Sequence, residues 1–191
     1  MRITGARIEK SLTLMSIQEH IRSCLDHGRL HVHRPTDAGI AHVRIILLTP
    51  ELREEIDAAV LDEHAGNRTG AFLADLDRFI SGDLITIGDR RHKHAFLKRL
   101  DPQGDQVWEL RSIDPKPSVR AFGTFADSDT LVLTHMRLRT DLGGYKSRPF
   151  RDEIRRTRQI WRGLFAPYRP VASEKVTDYV TENVLDWRDT R

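Results

Sequence analysis

Four arginines and a histidine lie inside segments that read as β-strands, and any chemistry would be sought there. Arg111 is in VWELRSI (107–113), Arg120 in SVRAFGTF (118–125), and His135, Arg137 and Arg139 in TLVLTHMRLR (130–139). DPKP (114–117) and ADSD (126–129) separate the three segments and are built of turn formers. A cation in the middle of a half-buried strand must reach water or an anion. Several on one sheet face point to a polyanion, although the same residues would also suit the solvent side of a one-sided sheet. His135 is the only imidazole of the group, and an imidazole suits proton transfer near neutral pH. RRHKH (90–94) and HVH (31–33) do not complete a metal set, because no third ligand is placed near them. RRHKH reads as a solvated basic loop.

The alternation of side chains along a strand fixes which residues share a face. A four-residue DPKP loop pairs Ile113 with Ser118, and so Arg111 with Arg120. Pairing Phe125 with Thr130 across ADSD puts Arg120 opposite His135. One face then holds Trp108, Leu110, Val119, Ala121, Val132 and Met136. The other holds Glu109, Arg111, Arg120, His135, Arg137 and Arg139, together with Phe122, Leu131 and Leu133, which need cover. The cover expected is an amphipathic helix from about Pro149 to Phe165.

The elements that must hold this face in place can be read upstream. AHVRIILL (41–48) is a β-branched strand run, stopped by Thr49-Pro50 as a helix start. Helices are expected over 51–63 and 70–81, broken by Gly66, Asn67 and Gly70, and covering the apolar face as a hairpin. Together these make an α+β domain over 41–170, an antiparallel sheet with a helical hairpin on one face. Residues 1–40 form an N-terminal extension able to dock on that domain, with a strand at Arg2–Ile8, a helix from Ser16 to His27 stopped by Gly28, and RLHVHR (29–34). Residues 171–191 read as a C-terminal amphipathic helix, because Val176, Val180 and Val184 recur every fourth position from Ser173 to Trp187.

Charge is unevenly spread. Residues 51–83 carry 3 Lys/Arg against 9 Asp/Glu, whereas residues 89–162 carry 17 against 10. The basic part coincides with the strands and final helix above, which suits an anionic partner such as RNA. The 191 residues, 39% hydrophobic and 31% charged, describe a globular chain of one or at most two domains. No apolar run is long enough to span a membrane, Met1–Ser11 lacks a signal-peptide core, and the single Cys24 cannot form an internal disulfide. A reducing, cytoplasmic setting without membrane attachment is expected.

The order strand, helix, helix, antiparallel strands, helix resembles the RelE/ParE superfamily of bacterial toxins. The phrases VWELRS, SVRAFGTF, TLVLTHMRLR and RPFRDEIRRTRQIWRGLF are similar to its HigB-like, phage-protein branch, over roughly Arg44 to Pro170. The chain departs from that pattern at Met136 and Leu138, where the branch keeps an aromatic and a lysine, and in a longer segment at Thr140–Lys146.

The resemblance implies a β-α-α-β-β-β-α domain and a type II toxin that cleaves messenger RNA, often on the ribosome, and is silenced by a partner antitoxin. A helix-turn-helix antitoxin, mRNA and the ribosome are the partners implied, and a homodimer is compatible with this. Neither metal nor cofactor is implied, because the ribose 2′-hydroxyl attacks the adjacent phosphate. Arg120 then stabilises phosphate and Arg111 clamps a neighbouring one. Arg137 and Arg139 take the place of a last-strand cation. Tyr145, six residues beyond Arg139, stacks on a base or moves a proton, and Lys146 adds an RNA-binding cation. His135 is the proton-transfer group. Two other classes stay open: a ParE-like toxin that blocks a protein target, and a catalytically inactive phage-derived regulator.

Overall fold

The computed structural model describes residues 15–62, 65–89 and 91–186. The strand expected at Arg2–Ile8 lies outside them. Among the described residues four helices flank one mixed sheet of eight strands. In chain order these are α1 (Ile17–Asp26), β1 (His31–Val32), β2 (Ile45–Leu48), α2 (Pro50–Val60), α3 (Gly66–Ile80), β3 (Ile85–Gly88), β4 (Leu97–Arg99), β5 (Trp108–Ser112), β6 (Val119–Asp127), β7 (Thr130–Leu138), α4 (Arg148–Phe165) and β8 (Val184–Asp186). The spatial order is β1-β2-β7-β6-β5-β4-β3-β8.

The α+β class is as expected, but the sheet is not antiparallel throughout. β2 runs parallel to β7, and β3 runs parallel to both β4 and β8. The first of these follows from connectivity. The α2–α3 hairpin carries the chain away from β2 after a strand buried on both faces, and β7 returns beside it in the same direction.

Local chemistry explains the helix starts. Ser16 Oγ accepts from the Glu19 backbone N–H at 3.2 Å, and Glu19 Oε2 accepts from the Ser16 N–H at 2.7 Å, so α1 opens on a capping box. Thr49 caps α2 ahead of Pro50. Ser147 caps α4 ahead of Pro149. Gly28, at φ +66, supplies the left-handed stop after α1. α3 starts at Gly66, four residues earlier than expected, and takes Gly70 into its interior at the usual entropic cost of a helical glycine.

The core is two-sided. On one face Leu52, Ile56, Phe72, Leu76 and Phe79 of α2 and α3 pack on Ile46, Leu110, Ala121, Phe125, Leu131 and Leu133. On the other, α4 lays Trp161 and Phe165 against Val132 and Leu47, where Ile21 and Cys24 of α1 join them. Phe150 and Ile154 of α4 cover Phe122.

The pairing of Arg111 with Arg120 is as expected, but Arg120 lies opposite Arg137, and Phe122 opposite His135. The turn into β7 is tighter than expected. Asp127 pairs with Thr130, and Asp129 takes a left-handed φ of 57°. A bulge between Phe122 and Gly123 then moves Leu131 and Leu133 from the charged face to the α2–α3 core. Gly123 permits it, because a Cβ there would strike the Val132 carbonyl oxygen and lie 2.9 Å from Leu133 Cδ2. Thr49 Oγ1 donates to the Thr134 carbonyl at 2.7 Å, so this oxygen at the bulge is satisfied.

The tail corrects the sequence. The helix expected over 173–187 is absent from the described part of that span. Residues Val176–Asp178 form one 3-10 turn, and Val184–Asp186 pair with β3. The tail docks all the same, with Val176, Tyr179 and Val180 in the core. Tyr179 Oη donates to Gln106 Oε1 at 3.0 Å and lies 2.8 Å from the Ser173 carbonyl. Arg44, 1% exposed, ties the end of α3 to the tail by donating to the carbonyls of Phe79, Asp83 and Glu182. Docking and strand pairing therefore outweigh a valine period that also suits a helix.

Candidate functional site

The charged residues gather on the α4 side of the sheet in two groups, both buried far more deeply than an RNA-facing surface would require. The first is centred on Glu109, which is fully buried on β5. Arg111, on the same strand, places Nε 3.4 Å from Glu109 Oε1, and Arg120 on β6 places its Nε 4.0 Å away. The Tyr145 hydroxyl donates to Glu109 Oε1 at 3.0 Å and lies 3.0 Å from Lys98 Nζ. Lys98 reaches the group because β4 pairs it with Glu109, in the next strand over. Three cations thus surround one carboxylate.

Much of their hydrogen bonding goes to the backbone. Arg111 donates to the carbonyls of Lys93 at 2.6 Å and Ala95 at 2.9 Å, and Arg120 donates to Val119 at 2.8 Å. Glu109 Oε2 and the Nε atoms of Arg111 and Arg120 make no hydrogen bond. Burial, then the neighbouring Arg111, lowers the Lys98 ammonium to about 8, even with Glu109 opposing the shift. Burial, then the Glu109 charge, pushes the Tyr145 hydroxyl up to about 12. Arg120 is likewise lowered, by burial first.

The second group lies further along β7. The His135 ring is 1% exposed and stacks on Phe122 at 5.1 Å with the planes 11° apart. Its Nδ1 is 2.9 Å from Thr134 Oγ1, and its Nε2 is 2.9 Å from Glu153 Oε2 but out of line for a hydrogen bond. Arg137 Nε donates to Glu153 Oε1 at 2.9 Å. Burial, then the Arg156 and Arg137 cations, lowers His135 to about 3.

Of the expected site residues, Arg111, Arg120 and Tyr145 come together, and His135 pairs instead with Arg137 on Glu153. Arg139 donates to the Gly143 carbonyl and sits over the Tyr145 ring at 5.8 Å, while Lys146 points to solvent. Tyr145 packs on Phe150, with ring centroids 4.8 Å apart, and lines a cavity of about 240 Å³ together with Lys146 and Arg151. Arg111 and Arg120 are 8% and 4% exposed, and Tyr145, on the segment leading into α4, reaches the Glu109 carboxylate that they flank.

Lys98 and Glu153 escaped the sequence reading. Lys98 sits in AFLKRL (95–100), where alternation marks a three-residue strand that the adjoining RRHKH run obscured. Glu153 was hidden among the arginines of α4. Among the described residues no group of His, Cys, Asp and Glu could hold a metal, and no helix is long and apolar enough to cross a membrane. His33 instead lies 3.5 Å from Asp77. Comparison of the chain with protein-family models, curated proteins and solved structures found no match.

Proposed function

We propose that the chain is a RelE/HigB-like toxin, a metal-independent endoribonuclease acting on mRNA, with its centre at Lys98, Glu109, Arg111, Arg120 and Tyr145. The observation that carries it is the excess of buried cations around Glu109 beside the cavity at Tyr145, with the Nε donors of Arg111 and Arg120 facing Glu109 but making no hydrogen bond. The order β2-α2-α3-β5-β6-β7-α4, once β3 and β4 are set aside, supports it as well.

In this scheme the scissile phosphate enters from the Tyr145 cavity and takes the Arg111 and Arg120 donors now turned toward Glu109. The 2′-oxygen forms a bond to phosphorus as the bond to the 5′-oxygen breaks, leaving a 2′,3′-cyclic phosphate and a 5′-hydroxyl. Lys98 takes the 2′-proton, since a group at about 8 is neutral in about a tenth of molecules at pH 7. Tyr145, still protonated, gives its proton to the leaving oxygen. This scheme gives His135 no proton to move, because its buried ring stacks on Phe122 and pairs with Glu153, two strands from Glu109. A helix-turn-helix antitoxin would silence the protein.

One observation favours the alternative of a protein-binding or inactive relative. Arg111 and Arg120 already hold backbone carbonyls, as structural arginines do. Inducible expression with RNA 5′-end mapping separates the two. The toxin reading expects new 5′ ends with the parent and loss of them with Lys98→Met. Growth arrest without new ends would favour the protein-binding toxin.

A further inference from the structure

We propose that one flank of α4 is a track for the phosphate backbone of single-stranded RNA. Arg148, Arg151, Arg155, Arg158 and Arg162 follow one another at spacings of three, four, three and four residues, which aligns them in one stripe. Arg151, Arg155, Arg158 and Arg162 each come one residue after a side chain that docks α4 on the sheet, namely Phe150, Ile154, Thr157 and Trp161. Each therefore stands about 100° round the helix from the buried face, beside the core and open to solvent. Arg148 and Arg155 are 88% and 66% exposed.

The stripe spans about 21 Å, with one cation per about 5 Å, the length of about six phosphates along a helical strand. It also edges a groove. The 240 Å³ cavity takes Arg151, and a second of about 160 Å³ takes Arg158 and Arg162. The opposite wall of both is the 100–106 loop, through Leu100, Asp101 and Pro102 in the first and Gly104, Asp105 and Gln106 in the second. A strand lying in this groove would be led to Tyr145.

Three carboxylates are interleaved. Asp152 lies 3.7 Å from Arg148 and 3.0 Å from Arg155, Asp105 lies 3.0 Å from Arg158, and Asp101 is on the loop. With Lys146 the groove still has six cations against these three, an excess that suits a polyanion. The proposal rests on the RNA-directed reading above and assigns it a surface that the reaction itself does not use.

The test uses the full chain and a fluorescein-labelled, 2′-O-methylated twelve-nucleotide RNA, which binds but cannot be cut by its own 2′-oxygen. Anisotropy is read between 50 and 200 mM salt. Five phosphate contacts give a slope of log K against log salt of about −3.5, or about a hundredfold weaker binding across that range. Arg155→Gln with Arg162→Gln, both off the Tyr145 cavity, flattens the slope by about 1.4 with the melting temperature unchanged, and lysine at both positions restores it.

An unchanged slope in the glutamine variant, or no binding by the parent, overturns the track. Cleavage that still depends on Lys98 would then leave the toxin reading standing. Binding of a polyglutamate twelve-mer as tight as that of the RNA would replace RNA with an acidic protein segment as the occupant.

Discussion

At the scale of single residues, burial changes what each charged group can do. Arg120 was legible from its place in a strand, but its cover was not, because that depends on where residues 139–147 fold. A substitution such as Arg120→Ala therefore tests stability as much as function, since removing one member of a buried charge pair costs about 3–5 kcal/mol. Lys98→Met is the cleaner probe. It removes a poorly solvated cation from a cation-rich cluster and keeps the side-chain length. We expect it to raise stability by about 1–2 kcal/mol at pH 7 in urea unfolding while abolishing any RNA cleavage. A stabilised variant with full cleavage would show that the lysine serves neither purpose.

His135 gives a pH prediction. Its folded value of about 3 lies below the ordinary 6.5, so between those limits the unfolded chain binds the extra proton. The stability associated with the neutral ring is therefore complete above about pH 6.5 and falls by up to about 1.4 kcal/mol per pH unit as the pH drops toward 3. Urea midpoints at pH 7 and pH 5 should differ more in the parent than in His135→Gln. Equal differences would mean that the ring is not held neutral.

At the scale of elements, periodicity located the strands and helices that pack on one face, and failed where tertiary pairing competes with it. The helix over 148–165 and the hairpin strands were readable because turn formers, a serine cap and a run of docking residues agree. The tail was not, because valines four apart suit either a helix or a docked coil, and only the open edge of β3 decides. The bulge in β6–β7 was hidden as well, although Gly123 inside an aromatic strand was its one signal. Gly123→Ala should cost about 3 kcal/mol, since the new methyl group meets backbone and not a flexible side chain. A thermal midpoint within a degree or two of the parent would contradict the bulge geometry.

At the scale of the molecule, the charge asymmetry seen in the sequence becomes a division of labour around the sheet. The acidic residues of 51–83 belong mainly to α2 and α3 on one face, and the basic ones to α4 and the strand side chains beneath it. The candidate site was legible as a set of arginines. The proposed centre needed β4, which brings Lys98 to Glu109 from an element too short to stand out. One side of the sheet thus carries the hydrophobic layer under α2 and α3, and the α4 side combines hydrophobic packing with a buried ionic layer.

The most direct measurement is incubation of the purified chain with a defined mRNA fragment in EDTA, with the new termini identified. The toxin account predicts 2′,3′-cyclic phosphate and 5′-hydroxyl ends, formed at least about a hundredfold more slowly by folded Lys98→Met and Tyr145→Phe, the loss expected when a proton-transfer group is removed. Intact RNA with the parent, or equal cleavage by both variants, would contradict it.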